Sequence, residues 1–208
     1  FKSCTVPRPI GWLSTISSKG VVNLAPYSQW QNLTFDPPMV MFAANQLSSG
    51  ERKHTVVNAE ETGWFVWNMA TYDLREAVNI SAMELPADIN EFEHAGVTPV
   101  SSIDAPCPRV KESPAHFECR FMSTHRLRGN SSHGWVEVVY GEVVRIHVND
   151  DSPRNYIRTG QTHCGSAVRQ ARCGHCPAQS MAPHAAGRES TQRNHAKKYP
   201  DDRPNRRR

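Results

Sequence analysis

Two long runs on either side of residue 130 constrain this 208-residue chain more than any other feature. His116 to Leu127 reads His-Phe-Glu-Cys-Arg-Phe-Met-Ser-Thr-His-Arg-Leu, an imperfect apolar/polar alternation. Trp135 to Val148 reads Trp-Val-Glu-Val-Val-Tyr-Gly-Glu-Val-Val-Arg-Ile-His-Val. Successive side chains of a strand point to opposite faces, so both runs fit long β-strands. Arg128-Gly-Asn-Ser-Ser-His-Gly134 between them has the residues of a hairpin loop, and Gly141 marks a bulge or bend in the second strand.

Shorter strands and a few helices fill the chain before this hairpin. Trp12 to Ser17 and Val21 to Ala25 flank the turn residues Ser18-Lys19-Gly20. Pro37-Pro38 leads into Met39-Val-Met-Phe-Ala-Ala44, an apolar run suited to a buried strand, and Trp64-Phe-Val-Trp-Asn68 is rich in aromatic and β-branched residues. Lys53 to Glu60 is polar enough for a surface helix, and Asp73 to Ala82 opens with an N-cap aspartate and Glu76 three residues later. Met83 to Pro114 reads as an excursion with one helical turn at Asn90–His94, its acidic stretch Glu84–Glu93 a solvated face. Many antiparallel strands with few helices predict a mostly β, Greek-key barrel, which leaves few edges exposed.

Charge divides the chain. Residues 1–151 carry 12 Lys+Arg against 17 Asp+Glu, and residues 152–208 carry 12 against 3. The second segment has no Leu, Phe or Trp, and Ile157 and Val168 are its only β-branched aliphatics. Burial there cannot offset the entropy of ordering a backbone, so 152–208 is expected to be a disordered basic tail and 1–151 the functional domain. Cys164 and the Cys173-Gly-His-Cys176 pair with His163 have zinc-like spacing but no apolar residues to pack around a metal, so no metal site is expected. The basic tail lacks interleaved aromatics, so no nucleic-acid partner is expected either. No run approaches a membrane span and no signal peptide is visible, which with reduced thiols at Cys4, Cys107 and Cys119 predicts a cytoplasmic protein.

The densest chemistry lies in Pro7-Arg-Pro-Ile-Gly-Trp-Leu-Ser-Thr-Ile-Ser17 and Asn23-Leu-Ala-Pro-Tyr-Ser-Gln-Trp-Gln-Asn32. Hydroxyls at Ser14, Thr15 and Ser17 sit on the first strand, and the chain leaves the second at Pro26 to present Tyr27, Ser28, Gln29 and Trp30. A phosphorylated aromatic cofactor needs this mixture of hydroxyls for phosphate and an apolar wall for a ring. Arg52, Lys53 and Thr55 would complete a phosphate site near a helix start. Six histidines of the body, His54, His94, His116, His125, His133 and His147, have no carboxylate partner legible in sequence, and only His54 lies beside candidate site residues.

These motifs carry a resemblance. Pro-Arg-Pro-Ile-Gly-Trp-Leu-Ser-Thr (7–15), Asn-Leu-Ala-Pro-Tyr-Ser (23–28) and Asp-Pro-Pro-Met-Val-Met-Phe (36–42) resemble the flavin reductase-like, FMN-binding split-barrel family. Lys53-His-Thr55, Phe65-Val-Trp-Asn68, Glu112–Cys119 and Val138–His147 follow in the same order. The resemblance covers residues 1–150. It implies a split barrel, and a homodimer with FMN near the subunit interface. Ser14 and Thr15 match phosphate-side hydroxyls, and Ala25, Pro26, Tyr27 and Ser28 match the loop lining the isoalloxazine ring. Lys53 and Thr55 match a second phosphate-side contact, with Asn45 and Trp30 as further carry-overs. Trp30 stands where the family has another aromatic. The implied activity is an NAD(P)H:flavin oxidoreductase using NADH or NADPH, with no catalytic side chain because hydride chemistry belongs to the flavin. A partner oxygenase or other electron acceptor is implied too. The alternatives are a non-enzymatic FMN electron carrier and a truncated or frameshifted member of the family without activity. For the last, codons permitted for Cys173–Gln179, read one nucleotide later, can encode Ala-Ala-Ile-Ala-Arg-Leu, an apolar-Ala-Arg-Leu pattern like the family's.

Overall fold

The computed structural model describes residues 4–130 and 134–149. In chain order it contains β1 (Gly11–Ile16), β2 (Val22–Tyr27), β3 (Trp30–Phe35), β4 (Pro38–Asn45), α1 (His54–Thr62), β5 (Trp64–Asn68), α2 (Arg75–Ile80) and α3 (Glu91–Ala95). The two-residue strands β6 (Pro99–Val100) and β7 (Arg109–Val110) follow, then β8 (Ala115–Arg128) and β9 (Trp135–Val148). Expectations about the segment after 151 fall outside the described residues.

Seven strands form one antiparallel sheet in the order β2-β1-β5-β8-β9-β4-β3. Its connectivity forces it to roll up. β2 and β3 are opposite edges, which a flat sheet would hold six strand spacings apart, about 29 Å. Tyr27 ends β2 and Trp30 begins β3, and three Cα steps reach about 11 Å at most. The edges must therefore meet, and the Ala43 N–H donates to the Gln29 carbonyl (2.9 Å), fastening the turn to the β4 side. The result is a split barrel.

Two main cores lie on either side of β1. Inside the barrel, Leu13, Tyr27, Phe42, Phe65 and Val139 pack together, with Phe42 and Phe65 meeting edge-on at 5.4 Å between centroids. Outside it, Trp12, Leu24, Val78 and Phe92 join α2 and α3 to the other face of β1. Gly141 is the close-approach point of the long hairpin. A Cβ there would lie 2.4 Å from the Phe65 ring, so only glycine lets β9 pass over it. The register shifts twice: Val144 of β9 is left over between the Glu118 and Cys119 pairings, and Met122 of β8 is left over opposite the Tyr140–Gly141 step.

Several local expectations are corrected. β2 does not end before Pro26: Pro26 is paired with Trp12, and an edge strand tolerates the missing N–H. Trp30–Phe35, whose residues after Trp30 are exposed, forms a strand that the pattern did not announce. α1 is not a surface helix, since Thr55, Val56, Asn58 and Ala59 are buried. Asp73 does not cap α2, whose N-cap is Leu74 without a side-chain bond. Glu91 is not on a solvated face but buried at the start of α3.

Candidate functional site

The end of β2, the start of α1 and the segment after α2 enclose a cavity of about 70 Å³, bounded by Ala25, Pro26, Tyr27, Lys53, Thr55 and Glu84 among others. Five of the ten candidate residues thus come together: Ala25, Pro26, Tyr27, Lys53 and Thr55. The enclosed space is far below the 300–1,000 Å³ of a drug-sized pocket. It suits a compact anionic group such as a phosphate, and a ring system would have to lie on the adjoining surface.

A buried polar network forms the floor. The Thr55 hydroxyl donates to Asn23 Oδ1 (2.7 Å), the Thr15 hydroxyl donates to the same atom (3.2 Å), and Asn58 Nδ2 donates to Thr15 (3.1 Å). Asn23 Nδ2 and the Leu24 N–H both donate to the Glu91 carboxylate. Burial lifts the Glu91 carboxyl to about 7, against the lowering effects of the Leu24 N–H and the Lys53 charge. Burial also pushes the Tyr27 phenol upward, with the Thr55 hydroxyl working against it. Tyr27 therefore stays neutral and serves as a wall.

An anion already stands at the mouth. Glu84 accepts from Lys53 Nζ (2.7 Å), from the Ser48 hydroxyl (2.6 Å) and from the Ser48 N–H (3.2 Å). Those donors, Lys53 first, hold its carboxyl down at about 2. Ammonium, hydroxyl and amide converging on one carboxylate make a donor set that fits phosphate oxygens equally well.

The other candidates lie elsewhere. Ser14 is sealed in the core, donating to the Pro108 carbonyl (2.6 Å) and accepting from Asn68 Nδ2 (3.1 Å). Thr15 is equally buried and reaches the cavity only through Asn23. Trp30 stacks on Trp67, with 5.8 Å between centroids, and its ring fills the space beside Gly11. Ser28 is half-buried in the β2–β3 turn and Asn45 is exposed at the end of β4. Sequence reasoning missed Ser48, Glu84 and Glu91. Ser and Glu in a polar loop carry no distinguishing pattern, and the partners of Glu91 lie 67 and 68 residues away.

A second buried polar cluster lies away from this cavity. Glu118 is fully buried and accepts from the backbone N–H groups of Ile103 (2.9 Å), Asp104 (2.7 Å) and Ala105 (2.8 Å), and contacts His147 Nε2 at 2.5 Å. Burial works to raise its pKa, but these bonds outweigh it and bring the carboxyl to about 2. His147 thus has the carboxylate partner its sequence did not disclose. His116 Nε2 lies 2.7 Å from the Val110 carbonyl, and burial lowers its pKa to about 4. No group of three metal-binding side chains occurs, and no helix is long and apolar enough to cross a membrane, among the described residues.

Barrel and cavity together define a split-barrel protein with a cavity at a strand end where Lys53 meets Glu84. The chain belongs to the flavin reductase-like family: the model of the flavin reductase like domain matches residues 3–165. An uncharacterized protein of Aquifex aeolicus is 37% identical over 145 residues, covering 70% of this chain and 71% of its own. The crystal structure of nitrilotriacetate monooxygenase component B from Bacillus cereus superposes with a TM-score of 0.66 at 33% identity, covering 70% of this chain and 71% of that one. A Shewanella frigidimarina protein assigned as a flavin reductase with a split barrel domain superposes with a TM-score of 0.60 at 26% identity, over 69% and 68% of the two chains. The family is flavin-binding, and its solved members include proteins described as a flavoredoxin and a flavin reductase.

Proposed function

We propose that this protein binds FMN and acts as a flavin reductase, passing electrons from NADH or NADPH to flavin. The carrying observation is the cavity in which Lys53 and Ser48 already hold a carboxylate beside the apolar end of β2. Membership of a flavin-binding family supports the cofactor class. Lys53 and Ser48 would take the FMN phosphate, with Thr55 holding Asn23 beneath it. Ala25, Pro26 and Tyr27 would give the ring an apolar wall, with Ser28 next along the chain toward its polar edge. Asn45 remains the weaker carry-over on the ring side. Ser14 keeps Asn68 and the Pro108 carbonyl in place and contributes through packing alone.

Hydride transfer is the chemistry that bound flavin supplies. The chain's part is to fix the phosphate, cover one face of the ring and leave the other open to a nicotinamide. One relative is a monooxygenase component, which supports an oxygenase as the consumer of the reduced flavin. We assign the reaction to the cytoplasm, where thiols such as Cys4, Cys107 and Cys119 stay free. A homodimer is proposed too. An apolar groove of about 380 Å³ between Leu33, Phe35, Met39, Phe117, Val143 and Ile146 leaves Phe35 92% exposed, and a second copy would cover it.

The test is an FMN titration followed by flavin fluorescence, then NADH or NADPH oxidation with free FMN as acceptor. Saturable binding and turnover are expected. Lys53→Ala should weaken FMN about ten- to a hundredfold, the worth of a charge-assisted hydrogen bond, and leave riboflavin unchanged. Absence of FMN binding by the wild-type chain would refute the reading. Binding without turnover would make the protein an electron carrier instead.

A further inference from the structure

We propose that Glu84 is an internal stand-in for phosphate: it fills the anion position at Lys53 and Ser48, must be displaced before a phosphorylated ligand binds there, and so sets the site's preference for phosphorylated over unphosphorylated flavin. This deepens the flavin reading and rests on it.

Geometry comes first. Glu84 follows α2 and reaches across to donors that precede α1, 31 and 36 residues back along the chain. Among the described residues Lys53 Nζ donates to Glu84 alone, so the ammonium cannot serve Glu84 and a phosphate without sharing. Met83 beside it is 54% exposed, and Ala82 and Glu84 are exposed as well. Ser81, three residues before Glu84, is anchored by accepting from Trp12 Nε1 (2.9 Å). The side chain can therefore leave without disturbing the core.

Energetics make the exchange favourable. The Lys53 and Glu84 side chains are 26% and 39% exposed, and an exposed pair of this kind contributes little. A phosphate monoester brings a charge of about −1.5 to −2 and three acceptor oxygens to the same donors. Glu84 brings one charge and two oxygens, and it remains ionised because its carboxyl sits at about 2. A phosphorylated ligand wins the position, but only net of the Glu84 interaction. Riboflavin has no group for Lys53 and leaves Glu84 in place.

The competing role for Glu84 is a tie holding residues 81–85 against the loop at 47–52. That role predicts the opposite sign, because cutting a tie loosens the site. Glu84→Gln and Glu84→Ala should be titrated with FMN and with riboflavin beside the wild type, with thermal unfolding checked in parallel. The expected result is FMN affinity about two- to fivefold tighter in both variants, matching the worth of an exposed ion pair, with riboflavin affinity unchanged. Inorganic phosphate should compete with FMN at correspondingly lower concentration in the variants. FMN affinity that stays equal or weakens in both variants overturns the proposal, and so does an equal change for FMN and riboflavin. Failure of the wild type to bind either flavin overturns the flavin reading itself, which the variants' sign does not touch.

Discussion

Glu91 and His116 should make stability respond to pH in opposite senses. Glu91 titrates at about 7 in the folded chain against an ordinary value of 4.5, because it is buried. Between those values the folded chain keeps a proton that the unfolded chain has released. The stability from this group is therefore full below pH 4.5 and is lost as pH rises toward 7. His116 titrates at about 4 against an ordinary 6.5, also through burial. Between those values the unfolded chain carries the extra proton. Its contribution is full above pH 6.5 and is lost as pH falls toward 4. Each shift corresponds to about 3 kcal/mol over its whole range, or about 1.4 kcal/mol per pH unit. From pH 4.5 to 6.5 the two slopes cancel. Urea unfolding of Glu91→Gln, followed by tryptophan fluorescence at pH 4.5, 5.5 and 6.5, should show stability rising by about 2–3 kcal/mol across that window. His116→Gln should show a fall of similar size, and the double variant should restore the wild-type pH dependence. Lost hydrogen bonds would offset each curve without changing its slope. Single variants whose slopes match each other in sign would refute the reasoning.

Two further outcomes are expected. Gly141→Ala should cost about 1–3 kcal/mol in urea unfolding, because its new methyl meets the Phe65 ring at 2.4 Å, and Phe65→Leu in the same chain should recover part of that loss. Phe35→Asp should leave the fold intact but convert the proposed dimer to monomer in light scattering; a wild type already monomeric at tens of micromolar would refute the interface.

Strands whose apolar residues face a core were legible. Trp64–Asn68 and Trp135–Val148 stand with the bounds their patterns suggested. β3 was not, because after Trp30 every residue is exposed and an edge strand of this kind has no buried face to imprint a period. α1 looked superficial because Thr55 and Asn58 are polar, yet they are buried by bonding to Asn23 and Thr15. Five residues singled out by the resemblance, Ala25, Pro26, Tyr27, Lys53 and Thr55, come together along one cavity. The resemblance placed Ser14 and Thr15 with them, but β1 lies between two cores and buries both its faces. The opposite wall, Glu84 and Glu91, depends on how the excursion after α2 folds back. Composition marks such a segment as acidic without saying which carboxylate turns inward.

The two residues joining β2 to β3 are the clasp of a hoop. The sheet closes because that link is too short to let its edges part, and β2 ends there in Ala25, Pro26 and Tyr27, the strip a ligand would grip. Anything gripping that strip also cinches the hoop. Bound flavin should therefore slow amide exchange in β3, a strand outside the proposed contacts, before it slows exchange in the long hairpin.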